Sequence, residues 1–531
     1  MPSECIPFRD TNYFSALICD YLEEKPELRQ FYNRFPRLEN FKEQIEEKQR
    51  SFSDENRRVL IQVLRGQYQN IKNAEVTYQN ITSLGKNTTF TITTGHQLNI
   101  FTGPLYFLYK IVSTINLAKA LKRKHPENNF VPIYWMATED HDFEEINYFN
   151  LFGKKVQWNR LDGGAVGVFD TKGLDTVFEI FSSEIGVGKN ADHLKELFKE
   201  AYLKHNNLSD ATRYLVHELF GAYGLIIVDA DDRRLKQLFT PVMEAEVLDQ
   251  MAYKTVLPKA KKLIDIGYKA QVNPREINLF YLGDGFRERV IRKDEYFVIN
   301  ETNIKWTEDE IIKELNNFPE KFSPNVMMRP LYQEIILPNL CYIGGGGELA
   351  YWLELKDYFE KASIPFPMLL LRNSVLIQTK KQAEKIRKLE VTDTELFLKQ
   401  HELINRKVRQ ISNIEINFNR QRKYLKEQFE EMYELAEKTD VSFVNAVKSQ
   451  EIKQLKGIDV LEKRLLKAQK IKLEDHVKRL TSIQNQLFPN QSLQERSINF
   501  SEMYLEYGES LIQELIQQLD PLMNEFLILK K

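Results

Sequence analysis

TTFTITT at residues 88–94, then Gly95, then a loop reaching Gly103-Pro104, and later the apolar run VPIYWMA at residues 131–137, decide the fold. β-Branched side chains pack well on a pleated surface, so both runs read as strands. Between them, residues 105–124 place Leu108, Ile111, Val112, Ile115 and Leu117 at helical spacing. Pro104 stands where a helix tolerates proline, in its first turn. A strand, a 20-residue helix and a second strand make the βαβ unit of a parallel sheet.

The same pattern extends outward. GLIIVD at 224–229 reads as another buried strand, one that ends in acids. Residues 150–220 look like an insertion of mixed character. LFYL at 279–282, GDGF at 283–286 and the alternation through Val298-Ile299 read as a small antiparallel meander. The αβ pattern resumes near Pro324, with a helix at 329–338, a strand at 340–343 and a loop of four glycines, Gly344 to Gly347. A helix then starts at Glu348, and a last strand runs over 367–371. The expected class is α/β, with a Rossmann-like parallel-sheet core and inserted connecting segments.

Two helical regions flank this core. In the first 80 residues, Phe14, Leu17, Ile18 and Leu22 share one helical face, and Val59, Leu60, Val63 and Leu64 mark a second helix. The turn at 83–87 ends this region. Beyond Val375, Phe397, Ile404, Ile411, Phe418, Leu425 and Met432 recur every seven residues, and Leu466, Leu473, Leu480 and Leu487 form a second register. Sustained heptads predict a coiled coil, as an antiparallel hairpin, a dimerisation arm or both. The expected divisions are 1–84, helical; 85–150, first part of the core; 151–322, core with insertions; 323–374, last part of the core; and 375–531, coiled coil.

Composition narrows the function. The chain of 531 residues carries 74 Lys and Arg against 76 Asp and Glu, a net charge of −2, so no sequence-wide attraction to nucleic acid is expected. Three cysteines, Cys5, Cys19 and Cys341, make neither a disulfide framework nor a CxxC zinc pair. Cys341 reads as a buried small hydrophobe. No basic start leads into an apolar stretch, and no run of ~18 apolar residues occurs, so neither a secretory signal nor a membrane span is expected. The cytoplasm is the expected place.

Ligands of an open α/β sheet bind beyond the carboxyl ends of its strands, and three stations of the sequence fall there. The first holds Gly95, His96, Asn99 and Gly103; His96 there either meets an anion or developing oxyanion near a helix start, or caps the loop. The second is Asp140, His141 and Asp142, with Glu139, Glu144 and Glu145 around them. Such a group suits a divalent metal or a general base for an amine, while acids at a helix start are also ordinary. The third comprises Asn325, Arg329, Gln333, Gly345, Gly346, Glu348, Tyr351, Trp352 and Arg372. Four glycines in a row suit close approach of a ligand to backbone amides, or else a flexible linker. Arg329 suits a carboxylate, and Glu348 an amino group.

These stations carry a resemblance. TTGHQ at 93–97 with TGPLY at 102–106, YWMATEDHDF at 134–143, SPNV at 323–326 with Arg329-Pro330, the glycine run with Glu348, Ala350, Tyr351 and Trp352, and LQER at 493–496 together resemble the cysteine-adding enzyme family of bacillithiol biosynthesis, BshC, in its Bacteroidetes-like form. The resemblance spans essentially the whole chain. It implies a nucleotidylyltransferase-like Rossmann core, a homodimer through the C-terminal coiled coil, and a ligase. The reaction it implies joins the carboxyl of L-cysteine, as an amide, to the amine of glucosaminyl-malate, an amino sugar conjugate. Other branches of the family carry glutamine in place of His96, which implies hydrogen bonding there rather than obligatory acid–base work.

A carboxylate and an amine do not condense readily in water, so a carboxyl-activating nucleotide, ATP, with Mg2+ is expected, although no Walker A pattern is present. No side chains are assigned as metal ligands. Two other classes stay open: a nucleotidylyltransferase acting on another small molecule, and a non-catalytic coiled-coil scaffold. A cysteine-dependent amide product separates the first reading from both.

Overall fold

The structure, a computed structural model, describes residues 4–160 and 163–531. A five-stranded parallel sheet lies at its centre, made of β1 (Thr89–His96), β2 (Asn129–Met136), β3 (Ile226–Asp229), β4 (Asn339–Gly344) and β5 (Met368–Leu371). Their spatial order is β5-β4-β1-β2-β3. The direction of winding reverses between β1 and β4, and that crevice is where doubly wound sheets bind ligands. The Rossmann-like α/β expectation holds.

All eight residues of β1 are buried. A strand rich in threonine can lie so deep because its hydroxyls are paired. Thr94 Oγ1 donates to the Ile343 carbonyl at 2.7 Å, and Thr93 Oγ1 to Asn339 Oδ1 at 2.8 Å. Left unpaired, each buried hydroxyl would cost about 1–3 kcal/mol. Helix Tyr106–Lys124 crosses from β1 to β2 and is buried almost all round. The sheet covers one side of it, and helix Ser510–Gln518 packs on another, where Asn116 Nδ2 reaches the carbonyls of Ile516 and Leu519.

The expected meander is present as an antiparallel sheet of Leu279–Gly283, Phe286–Lys293, Tyr296–Ile299 and Lys305–Trp306. A fifth strand, Phe322–Pro324, pairs with Leu279–Gly283 and leads the chain back toward β4. The mixed segment between β2 and β3 forms a hairpin, Tyr148–Leu151 with Lys154–Gln157, and then helices Leu174–Ile185, Lys189–Phe198 and Leu208–Phe220.

Two expectations need correction. The first concerns the flanks, which are not purely helical. Glu4–Pro7 and Val375–Gln378 pair on either side of Glu525–Lys530 in a third sheet. Partners so far apart in sequence leave no local pattern to read. The second concerns the heptads. Their seven-residue recurrence runs across helices Gln400–Ile411 and Asn419–Ala436, and the link 412–418 between them is not helical. The hairpin is formed by Asn419–Ala436 against the long helix Val441–Lys472. Its seam buries Phe429, Ala436 and Val447, whereas Met432 is exposed.

The loop after β1 is unusual. Phe101, Thr102 and Gly103 all have left-handed backbones, with φ of 49°, 67° and 62°. For phenylalanine and threonine this costs about 1–3 kcal/mol each. At Gly103 a Cβ would lie 2.7 Å from that of Asn99, so glycine is required there. The loop is held from the far end of the chain. Asn499 Nδ2 donates to the carbonyls of Phe101 and Gly103 at 2.8 and 2.6 Å, and the Phe101 ring is packed among Phe149, Phe181, Phe198 and Phe500. Asn499→Ala leaves both carbonyls buried without this donor. It is expected to cost about 2–4 kcal/mol, measured as a lower urea midpoint.

Candidate functional site

A cavity of about 590 Å³ opens at the carboxyl ends of β1, β2 and β4, beneath the antiparallel sheet. Lys110 stands at its floor. The crossover helix must bury this residue because the neighbours Phe107, Leu108, Tyr109, Ile111 and Val112 are all core. Its Nζ donates to the Gly95 carbonyl at 2.7 Å and meets Glu348 Oε1 at 2.6 Å. Glu348 is fully engaged: the Tyr342 hydroxyl donates to Oε2 at 2.6 Å and the Gly345 N–H to Oε1 at 3.1 Å. Burial would raise the Glu348 pKa, but Lys110 and Tyr342 hold it below the usual carboxylate range. The amino group that Glu348 binds is therefore the protein's own.

Arg329 and His96 bring spare hydrogen-bonding capacity to the same wall. The Arg329 guanidinium lies 5.4 Å from the Trp135 ring and 5.5 Å from Tyr342, within cation–π range. Its Nη1 donates to Gln333 Oε1 at 3.0 Å, while Nη2 has no partner. His96 is packed against Tyr106 and Phe107, and its Nε2 also has no partner. Burial, together with the positive charges of Lys110 and Arg372, pushes the His96 pKa well below its ordinary value. The imidazole is neutral and offers a hydrogen bond rather than a charge.

The acid station divides. Asp140 lines the cavity, but His141 and Asp142 are exposed beyond it. Asp140 Oδ2 accepts from Gln97 Nε2 at 2.8 Å, and Oδ1 accepts from the His141 N–H at 2.8 Å. Burial opposes ionisation of Asp140; these hydrogen bonds, His141 and Arg287 outweigh it and hold the carboxyl well below its ordinary range. Asp140 is thus a firm anion and a weak proton acceptor. His141 Nδ1 lies 3.0 Å from Arg287 Nη1, which joins the station to the antiparallel sheet. Asp142 occupies the N-cap position of helix Phe143–Ile146 without a side-chain cap bond.

The remaining candidates sort by place. Asn325 and Tyr351 line the cavity. Gln333 is buried behind Arg329, and Trp352 is core, stacked on Tyr342 at 4.6 Å. Gly346 faces Ile18, away from the cavity. A Cβ on Gly345 would lie 3.4 Å from Glu348 Oε1 and 4.0 Å from Arg372 Nε. None of the four glycines has a positive φ, so clearance, not backbone freedom, is what the run provides. Arg372 forms a buried pair with Glu495 at 2.7 Å and lies 4.7 Å from the Tyr106 ring. Asn99 and Gly103 line a neighbouring cavity of about 330 Å³, which shares Gln97 and Tyr106 with the first. Sequence reasoning passed over Lys110 and Arg287, and quoted Gln97 in the TTGHQ motif without giving it a role. A single lysine within an apolar helix run was the available signal for Lys110, whereas Arg287 looks like any polar residue of an alternating strand.

Comparison with known proteins adds two findings. A family model described as the N-terminal Rossmann-like domain of bacillithiol biosynthesis BshC matches residues 1–373, and one for the C-terminal coiled-coil domain matches residues 375–531. Relatives named "Putative cysteine ligase BshC" include one from Christiangramia forsetii, 61% identical over 100% of this chain and 99% of its own. Another, from Cytophaga hutchinsonii, is 39% identical over 98% and 97%. A third, from Lysinibacillus sphaericus, is 29% identical over 80% and 81%.

The depressed pKa of Asp140 has a signed consequence. The stability it contributes is fully present above the unfolded-state value of about 3.9 and is lost as pH falls through the lower native value. The gap in urea midpoint between the wild type and Asp140→Asn is expected to be constant from neutral pH down to about pH 5 and to close in more acidic buffer. A gap that widens on acidification would mean that Asp140 is not a stabilised anion.

Proposed function

The chain belongs to the BshC family of bacillithiol biosynthesis, and on that premise we propose that it is a ligase joining the carboxyl of L-cysteine to the amine of glucosaminyl-malate. The observation that carries this reading is the cavity at the topological switch point. One wall presents hydrogen-bond donors without partners, Arg329 and, in one tautomer, His96; the other presents the fixed anion Asp140. A carboxylate or phosphate suits the first wall and an ammonium group the second. A non-catalytic scaffold would give no reason to keep Arg329 Nη2 buried without a partner.

Activation of the carboxyl requires a leaving group, which ATP with Mg2+ supplies in this reading. Arg329 and His96 are the groups placed to hold its anionic part. Among the described residues no three or more His, Cys, Asp or Glu side chains converge to hold a metal. Magnesium in this reading is carried by phosphates with one or two carboxylates. Lys110 sets the depth of the site by fixing Gly95 and Glu348 on its two sides. Gln97 orients Asp140 at the cavity wall. Tyr351 and Asn325 complete the lining, and the packed core beneath keeps water out of the floor.

The homodimer is part of the same proposal. The hairpin of Asn419–Ala436 and Val441–Lys472 leaves Met432, Leu435, Val441, Phe443 and Leu461 exposed, an apolar surface that a second copy would cover. Among the described residues no helix is long and apolar enough to cross a membrane. The reading also includes a place in the cytosol and no nucleic-acid partner.

Two measurements test it. Purified protein with cysteine, glucosaminyl-malate, ATP and Mg2+ is expected to yield a cysteine-dependent amide by mass spectrometry. Arg329→Lys should lower kcat/KM about 10–100-fold, the range for losing a hydrogen bond to a charged group. Absence of the amide sinks the assignment. Light scattering at micromolar concentration should report twice the 62.7 kDa of one chain. Replacing residues 424–458 with a short Gly-Ser linker should give a monomer. That excision is a cleaner test than truncation near residue 376, which would also remove Asn499, Glu495 and the Glu525–Lys530 strand from the core.

A further inference from the structure

The acids at and just after the end of β3 are linked to the cavity wall through one lysine. Lys236, on helix Arg233–Asp249, is wholly buried and ion-paired with Glu139, a residue of the cavity wall. Its Nζ also donates to the Phe322 carbonyl at 2.6 Å and lies 3.6 Å from Asp231 Oδ1. Two carboxylates thus share one lysine. Asp229 adds a third negative charge nearby; its Oδ1 accepts from the Thr138 hydroxyl at 2.6 Å and from the Asp231 N–H at 3.0 Å.

Resting on the ligase reading above, we propose that Glu139 is the group that deprotonates the acceptor's ammonium, and that Asp231 is a positioning residue that holds Lys236 between the two carboxylates. Asp140 is unsuited to this step, because three donors already stabilise its anion. The Glu139–Lys236–Asp231 group carries one negative charge in excess, and buried excess charge is relieved by binding one proton. Burial, with the neighbouring charges of Glu139 and Asp229, pushes Asp231 up to about 7, Lys236 opposing. The other charged or titratable groups that face it are Arg287, Asp232 and the Tyr332 hydroxyl. Asp232 is itself paired with Arg234, and the Tyr332 hydroxyl donates to the Ala230 carbonyl.

The step balances. The ammonium N–H bond breaks, its proton passes to the carboxylate pair, and the freed lone pair attacks the acyl carbon of the activated cysteine, an acyl phosphate or acyl adenylate. The C–N bond forms as the C–O bond to phosphate or nucleotide breaks, and the second amine proton leaves to solvent.

The test compares two acceptors. Glucosaminyl-malate arrives as an ammonium and needs a base, whereas hydroxylamine is unprotonated at neutral pH and does not. Glu139→Gln should lower the turnover of amide formation ~10²–10⁴-fold while cysteine hydroxamate formation stays within a few-fold of the wild type. Asp231→Asn keeps the Glu139–Lys236 pair and serves if Glu139→Gln does not fold. It should move the acid limb of the pH–rate profile to lower pH by a unit or more. Equal loss with both acceptors, or an unmoved acid limb, overturns the proposal. A wild type that forms hydroxamate while both variants make amide normally overturns it and leaves the ligase reading standing. A wild type that forms neither product overturns both.

Discussion

A buried lysine organises the centre of this protein. Lys110 sits among the apolar residues of the crossover helix, and an uncompensated charge there would cost several kcal/mol. Its neutralisation draws together the end of β1 through Gly95, the end of β4 through Glu348, and the glycine run between them. The crevice where the winding reverses therefore has a charged, hydrogen-bonded floor. Tyr342, Arg329 and His96 stand on that floor, and the last two keep hydrogen-bonding capacity to spare.

The two family domains are less separate than their names suggest. Glu495 enters the core as the partner of Arg372 and also accepts from the Val375 N–H, while Gln494 bonds both the N–H and the carbonyl of Ile377. Asn499 shapes the loop after β1, and Tyr106 lies between Arg372 and Arg496. The short segment 494–499 works as a clasp on the Rossmann-like half, whereas the long hairpin lies outside it. Changes in the hairpin and changes in the clasp should thus be kept apart when function is assigned to the C-terminal half.

Much of the fold was legible because it rests on local pattern. TTFTITT, VPIYWMA and the helix between them carry their periodicity in neighbouring residues, and observed boundaries fall within a few positions of those expected. The third sheet was not legible, since Glu4–Pro7 meets Glu525–Lys530 across nearly the whole chain. The heptads pointed to the coiled coil and hairpin that are present, but spacing alone does not show that residues 412–418 leave the helix. At the site, residue types were readable but their employment was not. Glu348 looked available for a ligand's amino group, yet Lys110 takes it; Asp140 looked like a base, yet Gln97 and backbone N–H groups make it a poor one. Such cancellations arise from partners that come from other elements.

The grip of Asn499 on Phe101 bears on how the molecule matures. The two residues are 398 positions apart. Loop-closure entropy grows only logarithmically with length, about 0.6 kcal/mol per doubling, so the separation is tolerable at equilibrium. Its effect is on order in time, because contacts of such high sequence separation form late. The βαβ core can assemble from local contacts well before segment 494–499 arrives. Until it does, the left-handed turn at Phe101 and Thr102 lacks the Asn499 hydrogen bonds and keeps only Tyr202 and the neighbouring phenylalanines, and the smaller cavity lacks Arg496, Ser497 and Ile498 from its wall. A young chain would have the secondary structure of the finished protein before it had the finished protein's loop.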